Sequence, residues 1–117
     1  IPGQTYSRNI RVTRIVDTFL EHARIWYFGN GGNPKLFLGS PDWMRRNLYR
    51  RIEAVTPILD PDAKQELIDM LSIQLSDKRK ACFVDENLRN CWKSAHPQKE
   101  KVRSQYTFYE YLKEKTE

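Results

Sequence analysis

The longest unbroken apolar runs in this chain, Ile25–Phe28 and Ala81–Val84, are four residues each. A membrane-spanning helix takes about 20 apolar residues, so neither run can cross a bilayer. Both are long enough for short strands, and their β-branched and aromatic content favours that choice. The first run extends from Arg24 as a buried strand. Asn30-Gly31-Gly32-Asn33-Pro34 then has tight-turn chemistry, with glycine free to take positive φ. Lys35 to Leu38 is the returning strand, so the pattern predicts a hairpin. Asn30-Gly-Gly also resembles a phosphate loop in composition, but a hairpin turn accounts for it more simply.

Other segments are read the same way. Val12, Ile15, Val16, Phe19 and Leu20 recur at helical spacing and predict an amphipathic helix from residues 9–13 to about 21. Residues 42–49 are expected to be a short helical or irregular link, and Arg51 to Thr56 a third strand. Asp60-Pro61 is a helix start, with Asp as N-cap and Pro at the first helical position. Ala63, Leu67, Ile68, Met70, Leu71 and Leu75 carry that helix to about Asp77. Lys80 to Val84 is a further short strand, and residues 85–103 are expected to be a long polar surface loop. Ser104 is the expected cap of a final helix bearing Tyr106, Tyr109 and Leu112. The order helix, strand, strand, strand, helix, strand, helix indicates an α/β domain, or α+β, built on one sheet.

With 117 residues the chain is one domain's worth. It opens on Ile1-Pro2-Gly3-Gln4 without an initiator Met, so it is expected to be cut from a longer polypeptide, and no signal peptide is expected. Two cysteines, Cys82 and Cys91, are too few for a disulfide framework, which suits a soluble protein of a reducing compartment. Cys82 is expected to be a buried apolar residue. Cys91 has no partner spacing for zinc.

The net charge of +5 is unevenly spread. Residues 1–58 hold eight Arg and one Lys against four carboxylates, which is the whole surplus. Residues 59–117 are balanced and Lys-rich. Arginine in excess suits a phosphate or carboxylate site, because guanidinium is a planar, permanently charged, bidentate donor. The same surplus is also compatible with a generic basic surface. A nucleic-acid module would need an exposed basic stripe carrying aromatics, whereas Trp26, Tyr27 and Phe28 fall in a run that reads as strand core. Trp43 and Met44 are expected to be packing anchors.

The chain has two histidines. His96 lies in the polar segment and is expected to be solvated. His22 sits at the junction of the first predicted helix and first strand, where it can cap a helix C-terminus. It can also do chemistry. His22-Ala-Arg24 puts an imidazole and a guanidinium on one side of an extended segment. Gly39-Ser40-Pro-Asp42 and then Glu53 follow. This order resembles the phospholipase D superfamily motif of His-x-Lys, Gly-Ser-x-Asn and a later Glu. Arg24 stands at the Lys position and Asp42 at the Asn position; the motif's Asp would fall on Gly29 and is missing. The chemistry still fits phosphoryl work. An imidazole can attack phosphorus or protonate a leaving oxygen, and the cation two residues on can hold phosphoryl oxygens. Ser40 is a candidate donor to phosphate, and Glu53 a candidate partner for the imidazole. Arg51 would share a strand face with Glu53.

Nearly the whole chain resembles a narrower family. Asn9-Ile-Arg11-Val12, Phe19-Leu-Glu-His22, Arg24-Ile25, Asn30-Gly-Gly32, Asp42-Trp-Met44, Arg46-Asn47, Arg51-Ile-Glu53, Asp60-Pro61 and Phe108-Tyr109-Glu-Tyr111 are similar to the C-terminal part of the long, multidomain polyphosphate kinases. Only the stretch around 85–103 diverges. The resemblance implies the second of two C-terminal phospholipase D-like domains, a mixed sheet flanked by helices, spanning residues 1–117. It implies reversible transfer of the ATP γ-phosphate to a polyphosphate chain, with Mg²⁺, through a phosphohistidine on the neighbouring domain. His22 matches the family's second essential histidine, as an acid–base or phosphate-orienting group. Arg51 matches a phosphate-binding arginine. Arg24 as a phosphate ligand, with Glu53 and Ser40 in support, comes from the wider superfamily motif. The implied partners are ATP, polyphosphate, the remaining domains and a second copy in a homo-oligomer, with no nucleic acid and no transmembrane segment. The implied location is cytoplasmic or peripheral at the membrane. The isolated segment is expected to be inactive.

Overall fold

Ile25–Phe28 (β2) and Lys35–Gly39 (β3) form the hairpin that the first apolar run predicts, with Ile25 opposite Leu38 and Phe28 opposite Lys35. The computed structural model describes all 117 residues. In chain order the other elements are β1 (Thr13–Ile15), α1 (Arg45–Arg50), β4 (Val55–Pro57), α2 (Pro61–Ser76), β5 (Ala81–Val84), β6 (Asn90–Trp92) and α3 (Ser104–Thr116). Three helices are interspersed among the six strands, a mixed α/β composition. The strands make two three-stranded sheets rather than one, β2-β3-β4 and β1-β5-β6, and every pairing is antiparallel. The chain divides into two units, Glu21–Ile68 and a second made of Ile1–Leu20 with Asp69–Glu117.

In the unit Glu21–Ile68, the turn after β2 places Asn30, Gly31 and Gly32 at φ values of 43°, 62° and 93°. Three consecutive left-handed residues are what Asn-Gly-Gly supplies without strain. This turn lies at the Phe28–Lys35 end of the hairpin, and His22 lies beyond the other end. That geometry excludes the phosphate-loop reading of Asn30-Gly-Gly at the His22 site. β4 is an edge strand, which lets it contain Pro57 opposite Phe37. Leu36, at the centre of β3, is 1% exposed. Trp43 is 84% exposed, so it is not the packing anchor expected of it, and Met44 is also exposed. Asp60 caps α2 as predicted, its Oδ1 accepting the Ala63 N–H at 2.8 Å.

The other unit corrects three expectations. No helix forms over residues 9–21. Thr13–Ile15 is instead a strand paired with β5, and Thr13, Ile15 and Asp17 turn inward while Arg14, Val16 and Thr18 face out. The β-branched residues there serve a period of two as well as one of 3.6 (helical), and pairing to β5 decides between them. Asp17 also accepts the Thr18 N–H at 2.8 Å, a local bond that competes with helix. Second, residues 85–103 are not wholly loop, because Asn90–Trp92 returns as β6 against β5. Asp85 organises that return by accepting the Asn87 and Arg89 N–H groups.

Third, the cap of α3 is not the Ser104 hydroxyl. Asp77, fully buried, accepts the Ser104 N–H at 2.7 Å through Oδ2 and the Lys80 N–H at 2.7 Å through Oδ1. The inward side of α3 is Phe108, Tyr111 and Leu112, while Tyr106 and Tyr109 are exposed. Arg103 grips Asp17 through Nε at 2.8 Å and through a terminal nitrogen at 2.5 Å. Gln105 adds a two-way bond to the Phe19 backbone, accepting its N–H at 3.0 Å and donating to its carbonyl at 2.7 Å. Cys82 is buried as expected.

Candidate active site

The site residues meet because β2, β3 and β4 form an antiparallel meander. The start of β2, the end of β3 and the start of β4 therefore lie at one edge of the sheet. Two backbone bonds fix that edge. The Gly39 N–H donates to the Arg24 carbonyl at 3.1 Å, and the Ser40 N–H donates to the Ala54 carbonyl at 2.9 Å. Arg24, Ser40 and Glu53 are at or beside those bonds. Gly39 is required here for space: a Cβ on it would lie 2.6 Å from the Trp26 ring.

Arg24 is the centre of the first cluster. Its Nε–H donates to Asp42 Oδ1 at 2.7 Å, and a terminal N–H donates to His22 Nε2 at 2.5 Å. His22 Nε2 is also 3.3 Å from Asp42 Oδ1. One ring nitrogen cannot accept from Arg24 and donate to Asp42 at once. Without a proton, Nε2 takes the guanidinium hydrogen; with one, it gives that proton's hydrogen bond to Asp42. The imidazole has a partner in either state. Arg24 holds the Asp42 carboxyl below the usual carboxylate range against the opposing cost of burial, and His22 adds a smaller lowering. The His22 side chain is 66% exposed, so incoming groups can reach it. No helix ends at His22, which removes the capping reading.

Glu53 is the centre of the second cluster. It accepts from the Ser40 hydroxyl at Oε2 and from the Asn47 amide at Oε1, the latter at 2.8 Å. Ser40 Oγ in turn accepts the Ala54 N–H at 3.1 Å. The Ser40 and Asn47 bonds lower the Glu53 pKa, and the charges of Arg51 and Arg24 lower it further. Arg51 and Glu53 are not on a strand as expected. β4 begins at Val55, and Arg51 is the extended residue that ends α1. Two assigned roles change with this. Ser40 spends its hydroxyl hydrogen on Glu53 rather than holding it for phosphate. The carboxylate beside the imidazole is Asp42, not Glu53.

His22, Arg24, Arg51, Glu53 and Ser40 all belong to the unit Glu21–Ile68 and are drawn to one edge of its sheet. Sequence reasoning noticed Asp42 only as a motif position and missed Asn47. The signal for Asn47 was there: an Asn is a poor interior residue for a helix otherwise rich in Arg. Its side chain is buried, whereas both neighbours are exposed. Beside the clusters, Trp26, Phe28, Phe37, Trp43, Leu48 and Val55 line an open apolar hollow of about 400 Å³, with Asp42 at its rim. His96 is exposed, and the exposed Cys91 thiol lies 3.9 Å from Asp85 Oδ2. No three His, Cys, Asp or Glu side chains converge as a metal cage. Asp42 is paired with Arg24, and Arg51 and Arg24 place positive charge near Glu53, so a dication held by these carboxylates alone is electrostatically disfavoured and they do not fit a Mg²⁺ site of their own.

Residues 1–105 match the family described as polyphosphate kinase C-terminal domain 2. The chain belongs to that family. It is 46% identical over 107 residues to a polyphosphate kinase of Escherichia coli strain K12, covering 92% of this chain and 15% of that protein. It is 43% identical over 114 residues to a polyphosphate kinase of Vibrio vulnificus strain YJ016, covering 97% of this chain and 16% of that one. The crystal structure of the Porphyromonas gingivalis polyphosphate kinase superposes with a TM-score of 0.91 at 52% identity, over 98% of this chain and 18% of that chain. The helix and strand arrangement is thus that of the polyphosphate kinase C-terminal domain, with its phospholipase D-like fold. The chain spans about a sixth of the curated relatives it matches. No helix is long and apolar enough to cross a membrane.

Proposed function

We propose that this chain is the second C-terminal phospholipase D-like domain of a polyphosphate kinase and forms one wall of its phosphoryl-transfer site. The reaction is reversible transfer of the ATP γ-phosphate to polyphosphate, through a phosphohistidine carried by a neighbouring domain. The observation that carries this reading is His22 Nε2 within 2.5 Å of the Arg24 guanidinium and 3.3 Å of Asp42. An imidazole with a partner in both protonation states suits a group that gives and takes a proton, or that orients a phosphate. Arg24 and Arg51 meet the phosphoryl oxygens, where positioning and charge stabilisation do most of the work of such a transfer. Asp42 aims Arg24, and Glu53 with Ser40 and Asn47 fixes the edge on which both arginines stand.

The exposed apolar residues of this wall, Trp43, Leu48 and Val55 among them, support contact with the remaining domains of a longer enzyme. ATP and polyphosphate are its substrates, Mg²⁺ enters with the nucleotide and the rest of the enzyme, and the full protein is a cytoplasmic homo-oligomer, peripheral to the membrane where it meets one. The test is His22→Ala in the full-length enzyme. Synthesis is expected to fall by roughly 10²–10⁴-fold, the usual worth of a general acid or base. Near-normal synthesis would return His22 to an ordinary surface residue. The 117-residue chain alone is expected to make no polyphosphate, and ATP-dependent synthesis by it would overturn the shared-site reading.

A second reading has one observation in its favour. Arg45, Arg46 and Arg50 are exposed alongside Trp43 and Tyr49, a basic and aromatic surface of the kind that binds nucleic acid.

A further inference from the structure

Helix α1 carries charge that the transfer site does not use. Residues 45–51 read Arg-Arg-Asn-Leu-Tyr-Arg-Arg; Arg45, Arg46 and Arg50 on the helix are exposed, and Arg51, which follows it, is the arginine assigned to the transfer site. Arg45, Arg46 and Arg50 take no part in the ion pairs formed by Arg24, Arg89, Arg103, His22 and Lys113. Arg46 and Arg50 stand four apart on one helix face, a like-charge spacing that destabilises a helix. The first turn of α1 holds no acidic residue to offset this. The nearest carboxylates in sequence are committed elsewhere, Asp42 to Arg24 and Glu53 to Ser40 and Asn47. A six-residue helix has little propensity to spare for such repulsion.

We propose that α1 is a docking strip for long polyphosphate, on which Arg46 and Arg50, with Arg45 beside them, hold phosphate units remote from the one being transferred. The proposal rests on the phosphoryl-transfer reading above and adds a chain-length preference to it. The placement suits that role. Asn47, between Arg46 and Arg50 in sequence, is tied to Glu53 at 2.8 Å, so the strip is anchored to the cluster beside His22 and Arg24. The cation type suits it too, because the guanidinium fork matches oxyanion pairs better than lysine does. A polyphosphate has charge at every unit and no bases, so Trp43 and Tyr49 should contribute nothing to its binding. Single-stranded nucleic acid would stack on them.

The test uses the full-length enzyme running toward ATP, from ADP and polyphosphate of either long or oligomeric length. In the double variant Arg46→Gln, Arg50→Gln the KM for long polyphosphate should rise roughly five- to tenfold, as loss of charge-assisted bonds implies. kcat, the KM for ADP and the KM for the oligomer should stay within about twofold, since screening confines the strip to units near it. Arg46→Lys, Arg50→Lys keeps the charge and should recover most of the loss, which a misfolded variant would not. An unchanged long-chain KM, or an equal loss on the oligomer, would overturn the strip while leaving the transfer reading intact. A wild-type enzyme that makes no ATP from any polyphosphate would sink the transfer reading and the strip with it. Labelled single-stranded DNA that binds the wild type more tightly than polyphosphate, and is lost in Trp43→Ala, Tyr49→Ala, would reassign the strip to nucleic acid.

Discussion

Arg24 donates its Nε–H to Asp42 Oδ1 at 2.7 Å, while a terminal nitrogen of the same guanidinium reaches His22. Asp42 therefore sets the plane of Arg24, and through it the position of the imidazole. Asp42→Ala in the full-length enzyme should lower kcat by about 10²-fold, the scale of an ångström-level misplacement. Asp42→Asn keeps an acceptor for the Arg24 Nε–H and should retain activity to within about tenfold. Steady-state kinetics on the two variants checks this; equal losses would mean that charge, not aim, is what Asp42 supplies.

Asn47 is tested by its effect on Glu53. Its amide donates to Oε1, and an Asp at this position would put a second carboxylate against Glu53. Asn47→Asp should raise the Glu53 pKa by like-charge repulsion and lower kcat by about tenfold near pH 7, with partial recovery as the pH falls and one proton is shared. Asn47→Ala should lose activity without that recovery. The pH profiles of kcat for the two variants separate the outcomes.

Acid should destabilise the chain through Asp17 and Asp77. Arg103 holds the Asp17 carboxyl below its ordinary range. Burial alone would raise Asp77, but the N–H groups of Lys80 and Ser104 more than offset it, so this pKa is lowered as well. In both cases the unfolded chain binds more protons than the native one at pH values between the native pKa and the ordinary one. Their stabilisation is complete above the ordinary carboxylate pKa of about 4 and is lost as pH falls through the lowered values. Urea midpoints of the wild type should therefore fall steadily below about pH 5. Asp77→Asn should flatten that slope. Asp77→Ala should cost about 1–3 kcal/mol at neutral pH, because two N–H donors, the buried one of Ser104 and the part-buried one of Lys80, lose their acceptor.

Local chemistry made some of this legible in the sequence, and its limits account for the rest. Asp60-Pro61, the Asn30-Gly-Gly turn and the two four-residue apolar runs each specify one outcome by themselves. The segment around Thr13–Ile15 does not, because its β-branched residues satisfy both periods and the partner strand lies far along the chain. Asp77 as the cap of α3 was invisible for the same reason, being set by a contact from distant sequence. At the site, His22 and Arg24 are two residues apart and announce each other. Which carboxylate meets the imidazole depended on where β4 begins, a boundary that strand propensity does not fix.

Gly39 offers the sharpest structural test of the site's frame. The Trp26 ring lies so close over it that an added Cβ would sit 2.6 Å from one ring carbon and 2.8 Å from another, with a Val55 methyl at 3.0 Å. Gly39→Ala must displace the indole or the strand end, and the strand end carries the bonds to Arg24 and Ala54. Overpacking of this kind costs about 1–3 kcal/mol. Trp26→Leu relieves the contact, leaving a smaller side chain over β3. The double variant Gly39→Ala, Trp26→Leu should therefore be more stable than the sum of the single losses, by roughly 1 kcal/mol or more in a double-mutant cycle. Urea denaturation of the four proteins measures the coupling, and strict additivity would show that the indole moves aside freely. The full-length enzyme adds a second reading. If the strand end yields, Gly39→Ala should depress kcat because Arg24 and Ser40 move with it, and Trp26→Leu should restore part of that loss.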